Sequence, residues 1–217
     1  VLAQIAPHVG ARTVVTDAGS TKRDVIVAAR RYLGDAFARF VPAHPIAGTE
    51  KSGAQAAFAD LFAGHKLIVT PEPETDPRAL RLVTSAWKLA GMRIESMKAA
   101  DHDRTFALVS HLPHVLSFAL VAHLASERDA ASLLGHGGGG LRDVARIAGS
   151  SPEMWRDICL ANRDALLPAL KGCLGELELL RGMLEASDGE GLGNRFAAAR
   201  AARAKWLVKK TGSGSEK

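Results

Sequence analysis

Cysteines, tyrosine and aromatic rings in general are what this 217-residue chain has least of: two, one and 5% respectively. Cys159 and Cys173 fit neither a metal-ligand spacing nor a disulfide framework, so a reducing cytoplasm is expected and no metal site. Rings this sparse give no platform for stacking bases. The net charge of +5 is scattered until Arg195 to Lys210, so neither composition nor charge points to nucleic acid as a partner. No apolar run reaches the length of a membrane span, no signal peptide is visible, and no membrane partner is expected. What remains is ordinary for a soluble globular chain, with 47% hydrophobic and 24% charged residues. The length suits one large domain or two small ones.

The informative stretch is FVPAHPIAGTEKSG, Phe40 to Gly53. A brief strand, Phe40 to Ala43, is predicted to stop at His44-Pro45, because proline lacks a ladder donor and turns His44 away from helix. Gly48 and Gly53 then hold a loop carrying His44, Thr49, Glu50, Lys51 and Ser52. A strand that delivers a histidine into a polar loop is how α/β enzymes present chemistry. The competing reading is a surface turn with an incidental histidine.

In chain order, Val1 to Val9 reads as the later part of an amphipathic helix, as though sequence upstream were missing, with Gly10 as its C-cap. Arg12 to Thr16 is a β-branched strand, followed by a helix from about Lys22 to Leu33 capped by Ser20 or Thr21. After the Phe40 strand come a helix at Ala54 to Phe62 and a strand at Lys66 to Thr70. This alternation predicts a parallel sheet built from crossover units. The strand ends would then gather Asp17 to Ser20, His44 to Lys51 and Thr70 at one edge.

Beyond Pro71 to Pro77 the pattern becomes helical, apart from one possible strand at Arg93 to Met97. A long helix from Ala99 to Ala125 places Ser110 and His114 on one face, with a kink at Pro113 between them. A satisfied core histidine and a ligand site both explain that pair. GHGGGG, Gly135 to Gly140, follows a helix and not a strand, so it reads as a mobile loop and not a dinucleotide fingerprint. Arg142, Asp143 and Arg146 neighbour one another on a short helix, either as a solvated face or as a carboxylate grip. Ser150 or Ser151 caps the next helix, with Pro152 at its first position. Leu166, Leu170, Cys173, Leu177, Leu180 and Leu184 form a heptad seam, suited to a core or a dimer interface. Gly189 to Gly193 should break that helix before a last one, Asn194 to Lys210.

Four blocks in order, TDAGSTK (Thr16 to Lys22), HPIAGTEKSG (His44 to Gly53), VSHLPH (Val109 to His114) and RDVARIAGSSPEMWRDI (Arg142 to Ile158), closely resemble the prephenate dehydrogenases and their arogenate and cyclohexadienyl relatives. The resemblance covers nearly the whole chain. It implies an α/β fold: a partial Rossmann-type parallel sheet (1–76) followed by an all-helical dimerisation domain (77–210), with a disordered tail at 211–217. It also implies oxidative decarboxylation of prephenate or arogenate with NAD or NADP, in tyrosine biosynthesis, by a homodimer. His44 would take the ring-hydroxyl proton, with Ser20 hydrogen-bonded to it, and Arg146 would bind the departing carboxylate. Ser110 and His114 would line the pocket, with Glu50, Gly139 and Trp155 behind them. Asp17, Gly19 and Thr49 would border the cofactor.

One departure stands out: the family's glycine-rich turn and its first strands have no counterpart in this stretch. A chain of this length, alone, is therefore expected to reduce little or no NAD with prephenate. Two rivals remain. A different β-hydroxyacid-type dehydrogenase would need a catalytic lysine on the first long helix, which offers only Lys98 at its start. A truncated dimerisation module would dimerise without binding cofactor.

Overall fold

The computed structural model describes residues 1–48, 53 and 57–212. It forms two compact units, Val1–Ala169 and Leu170–Lys217; the boundary drawn from sequence at 76/77 lies inside the first.

In the first unit, Val15–Thr16 (β1) and Phe40–Val41 (β2) pair in parallel, with Val15 opposite Phe40. Arg23–Leu33 (α2) buries Ile26, Ala29 and Leu33 against Phe37 and Phe40, an apolar stripe at helical spacing. The strand predicted from Arg12 is only two residues long. Thr13 N–H closes a turn on Gly10 O at 3.1 Å, and the Arg39 guanidinium holds the carbonyls of Thr13 and Gly10 at 3.1 and 3.3 Å. Gly10 thus belongs to a turn and caps nothing; the opening helix is short, Leu2–Ile5 (α1), with a 3-10 turn after it.

Ala43–Ile46 (β3) runs straight through Pro45, where a stop was predicted. It lies antiparallel to Lys66–Val69 (β4), which is itself parallel to Arg93–Ser96 (β5). The strand β3 is an edge, so proline sits where its outward side needs no donor. The expected parallel sheet is therefore two small sheets, with one antiparallel pair among parallel ones. Pro77–Leu89 (α3), capped by Asp76 on Arg78 N at 2.7 Å, covers Val41 with Ala79 and Val83. Of the helix predicted at Ala54 to Phe62, residues 57–62 form loop and turn, where Phe62 meets Trp87 edge-on at 5.1 Å; residues 54–56 lie outside the described residues.

The long helix arrives in three pieces: Ala99–Phe106 (α4), a π-turn Ala107–His111, and Leu112–Ser126 (α5). Pro113 lacks the N–H an unbroken helix needs, and the Leu112 N–H reaches back to Ala107 O instead. Ala99–Ser126 is, against the sequence expectation, long and apolar enough to cross a membrane by length and composition. Yet His102, Asp103, His111 and Ser117 along it are buried inside the unit, and Ser117 Oγ donates to Val144 O at 2.7 Å. Buried polar residues of this kind weigh against a lipid-facing helix.

The glycine run holds a short loop, residues 136–138, between Ala130–Gly135 (α6) and Gly139–Ala145 (α7), which takes its last two glycines. A side chain at Gly137 would collide with Leu141 Cδ2 at 2.7 Å and Leu134 O at 3.0 Å. Pro152–Ala161 (α8) follows, its Ser151 cap accepting from Met154 N at 3.2 Å as predicted.

Arg163–Glu185 (α9) runs out of the first unit into the second. In the second unit, Gly189–Gly212 (α10) winds through the glycines expected to break it, because Asp188 Oδ1 caps Gly191 N at 2.8 Å. The break falls earlier, at Ser187 with φ 52°. Residues 211 and 212 of the predicted tail end this helix, and 213–217 lie outside the described residues.

Candidate active site

His44 leaves the sheet on β3 with both neighbouring backbone groups pinned. Ala43 N donates to Asp17 Oδ1 at 2.9 Å, and Ala43 O accepts from Lys22 Nζ at 2.6 Å. Lys22 is 0% exposed and pairs with Asp17 Oδ2, which also accepts from Gly19 N at 2.9 Å. Burial pulls the Lys22 ammonium below its ordinary pKa, opposed by Asp17, Asp24 and Asp103.

The imidazole of His44 packs on Phe106 at 4.9 Å between ring centroids, and its Nδ1 lies 2.8 Å from His102 Nε2. His102 Nδ1 in turn lies 2.8 Å from Asp103 Oδ1. That carboxylate also accepts Lys22 N at 2.8 Å and Arg23 N at 2.9 Å, and so caps α2. Neither Ser20 nor Thr21 does; Asp103, eighty residues on, supplies the cap predicted for them. Burial raises the Asp103 pKa, but His102 and the two backbone N–H groups outweigh it, leaving the carboxyl below its usual range. Burial, then His102 and Lys22, lowers His44 to about 3, so it is neutral at physiological pH.

A second cluster adjoins the first through Asn162, at the end of α8. Its Nδ2 donates to Asp103 O at 2.8 Å and lies 3.0 Å from His111 Nδ1. His111 meets Trp155 edge-on at 6.0 Å, while His114 stacks on the indole at 3.5 Å, 18° from parallel. His114 Nδ1 donates to the Ser110 carbonyl at 2.9 Å, across the π-turn. Burial lowers the His114 pKa, the Ser110 bond opposes it, and the charge of Arg146 lowers it further. Burial also lowers His111, to about 4. His111 Nε2 and Trp155 Nε1 are buried without a hydrogen-bond partner among the described residues. Two such donors beside an arginine suit an acceptor group of a ligand.

Of the residues named from sequence, His44 is linked through His102, Asp103, Asn162 and His111 to Trp155, His114 and the Ser110 carbonyl, while Arg146, an exposed residue, acts on His114 through its charge. Ser20 makes no hydrogen bond to His44, whose Nδ1 faces His102 instead. Gly139 is an exposed residue in the first turn of α7. Asp17 is spent on Ala43, Gly19 and Lys22. Thr49 and Glu50 lie outside the described residues. The reading missed Lys22, His102, Asp103, His111 and Asn162. An acid–histidine pair in an otherwise amphipathic turn (DHD, Asp101 to Asp103) was the available signal.

One cavity, of about 610 Å³, lies beside β1 and is bordered by Leu2, Ile5, Val15, Thr16, Gly19 and Tyr32. Gly19 closes the turn against it; a Cβ there would crowd Asp17 Oδ2 at 3.0 Å.

Comparisons with known proteins bear on the family and the fold. Residues 1–96 match the family model for the prephenate dehydrogenase nucleotide-binding domain, and residues 98–198 that for its dimerisation domain. Cyclohexadienyl dehydrogenase of Zymomonas mobilis is 36% identical over 205 residues, 94% of this chain and 69% of that protein. Prephenate dehydrogenase of Bacillus subtilis is 35% identical over 188 residues, 86% of this chain but half (50%) of that protein. The crystal structure of Aquifex aeolicus prephenate dehydrogenase with hydroxyphenyl propionate and NAD+ superposes with TM-score 0.86 at 36% identity, covering 94% of this chain and 71% of that one. By sequence along nearly its whole length and by fold, the chain belongs to the prephenate dehydrogenase family.

Proposed function

We propose that this chain carries the substrate-facing part of an NAD(P)-dependent dehydrogenase that oxidises and decarboxylates prephenate or arogenate. The observation that carries the reading is His44, a neutral imidazole on the sheet rim, linked through His102, Asp103 and Asn162 to the His111–Trp155–His114 cluster, whose His114 feels the charge of Arg146.

NAD(P), when bound, would supply the hydride acceptor, and Gly19 and the cavity beside β1 would hold it. His44 takes the proton of the ring hydroxyl as the carbon bearing that hydroxyl is oxidised. The bond from ring to carboxylate then breaks, its electron pair enters the ring, and carbon dioxide leaves. His44 returns its proton to the phenolate oxygen, so no proton is gained or lost overall. Arg146 grips the carboxylate, a fork matched to a planar anion. The open donors of His111 and Trp155 take acceptor oxygens of the side chain, pyruvyl in prephenate and alanyl in arogenate. Aromatisation supplies much of the driving force, leaving orientation, a base and an anion clamp to the protein.

The unit Leu170–Lys217 supports a homodimer: Leu177 and Leu184 of α9 are 51% and 65% exposed, whereas Leu166, in the first unit, is 6% exposed. Both cysteines are unpaired, which accords with a cytoplasmic enzyme. The decisive assay is NAD and NADP reduction by the full-length enzyme with prephenate, arogenate and a small 3-hydroxy acid. Turnover with the last alone would overturn the reading. Sedimentation of Leu177→Asp should show monomers where the parent is dimeric.

A further inference from the structure

We infer that His102, held by Asp103, is a positioning residue that fixes the tautomer of His44, keeping the proton on Nδ1 and the lone pair on Nε2. This rests on the proposed role of His44 as the base. The argument runs outward from Asp103. Its carboxylate accepts two backbone N–H groups of α2, Lys22 N at 2.8 Å and Arg23 N at 2.9 Å, so it is an acceptor throughout. The contact of 2.8 Å to His102 Nδ1 is therefore a bond in which the imidazole donates. With its single proton on Nδ1, His102 offers only a lone pair at Nε2. His44 Nδ1, 2.8 Å away, must then be the donor. Its other nitrogen, Nε2, is left unprotonated, as a general base requires.

The opposite arrangement needs a doubly protonated His102 that donates to His44 and places the His44 proton on Nε2. That would put a second cation, 0% exposed, beside the buried Lys22 ammonium, with one carboxylate already engaged by backbone donors. Phe106, 4.5 Å from the His102 ring and 4.9 Å from His44, gives it no acceptor. The arrangement parallels the acid–histidine pairs that hold a catalytic imidazole in one tautomer, with a second imidazole interposed.

The test uses the full-length enzyme with His102→Leu, which removes the acceptor, and His102→Gln, whose amide oxygen can replace it. His102→Leu should lower kcat about 100-fold, the lower end of a general base's contribution, with KM unchanged. His102→Gln should recover most of that loss. Nitrogen-15 spectra of the parent should show His44 protonated at Nδ1, and His102→Leu should move the proton to Nε2. An Nε2-bound proton on His44 in the parent overturns the inference, whether or not His102→Leu folds. So does a folded His102→Leu with parental kcat. An active His44→Ala, with His44 of the parent still protonated at Nδ1, would instead sink the base while leaving the tautomer assignment standing.

Discussion

The two halves of the site are finished to different degrees. Around His44 the charged groups on the inner side are matched among the described residues: Asp17 to Lys22, Lys22 to Ala43, His102 to Asp103, Asp103 to the start of α2. Thr70 Oγ1, just past β4, is the one buried polar atom there with no partner among them. Around Trp155 the rings are stacked and buried, yet His111 Nε2 and Trp155 Nε1 have no partner among the described residues. A completed network holds one proton in one place. An incomplete one stores desolvated donors whose cost is recovered when a ligand brings oxygens. The same substitution strategy should therefore damage folding in the first half and affinity in the second.

The largest effect expected is on the completed side. Asp103→Ala strips the α2 cap and unpairs His102, and should cost on the order of 3–5 kcal/mol in urea unfolding. His44→Ala touches the same network from its rim. It should reduce turnover by a factor of about 10²–10⁴ while sedimentation shows the dimer intact.

On the open side, Arg146→Ala should raise KM, by on the order of 2–4 kcal/mol in binding if the ion pair is desolvated, and change melting little. If it unfolds the protein instead, the contrast between the halves fails.

Acid should weaken both halves together. His44 and His111 are held at about 3 and about 4 in the folded chain, against 6.5 unfolded. The unfolded state therefore takes up protons first on acidification. Stability is complete above about pH 6.5 and erodes as pH falls towards the folded values. Urea midpoints that rise between pH 6.5 and 5 would contradict this.

The smallest effect belongs to Trp155→Phe, which deletes an unpartnered N–H and leaves a smaller aromatic ring for His114 to stack on. Melting should hold within about 1 kcal/mol, while substrate affinity drops roughly fivefold to tenfold, one hydrogen bond's worth.

What could be read from the chain beforehand follows the range of the interactions. Pro113 announced a disturbance in its helix because its missing donor is a local fact, and Ser151 with Pro152 announced a cap for the same reason. His44 and Arg146 stood out through their motif surroundings. The strand through Pro45 was not legible, since whether a strand is an edge depends on partners at residues 66–69. Nor was the true cap of α2, because Ser20 and Thr21 are plausible locally and Asp103 is not. Gly189 looked like a breaker until Asp188 was seen to cap the turn it enters.

The π-turn at Ala107–His111 has a bearing on how this sequence can vary. It is a counting device. Removing one residue there would restore ordinary winding and end the reach of the Leu112 N–H to Ala107 O. The segment is fixed by its residue count as well as by His111, buried within it.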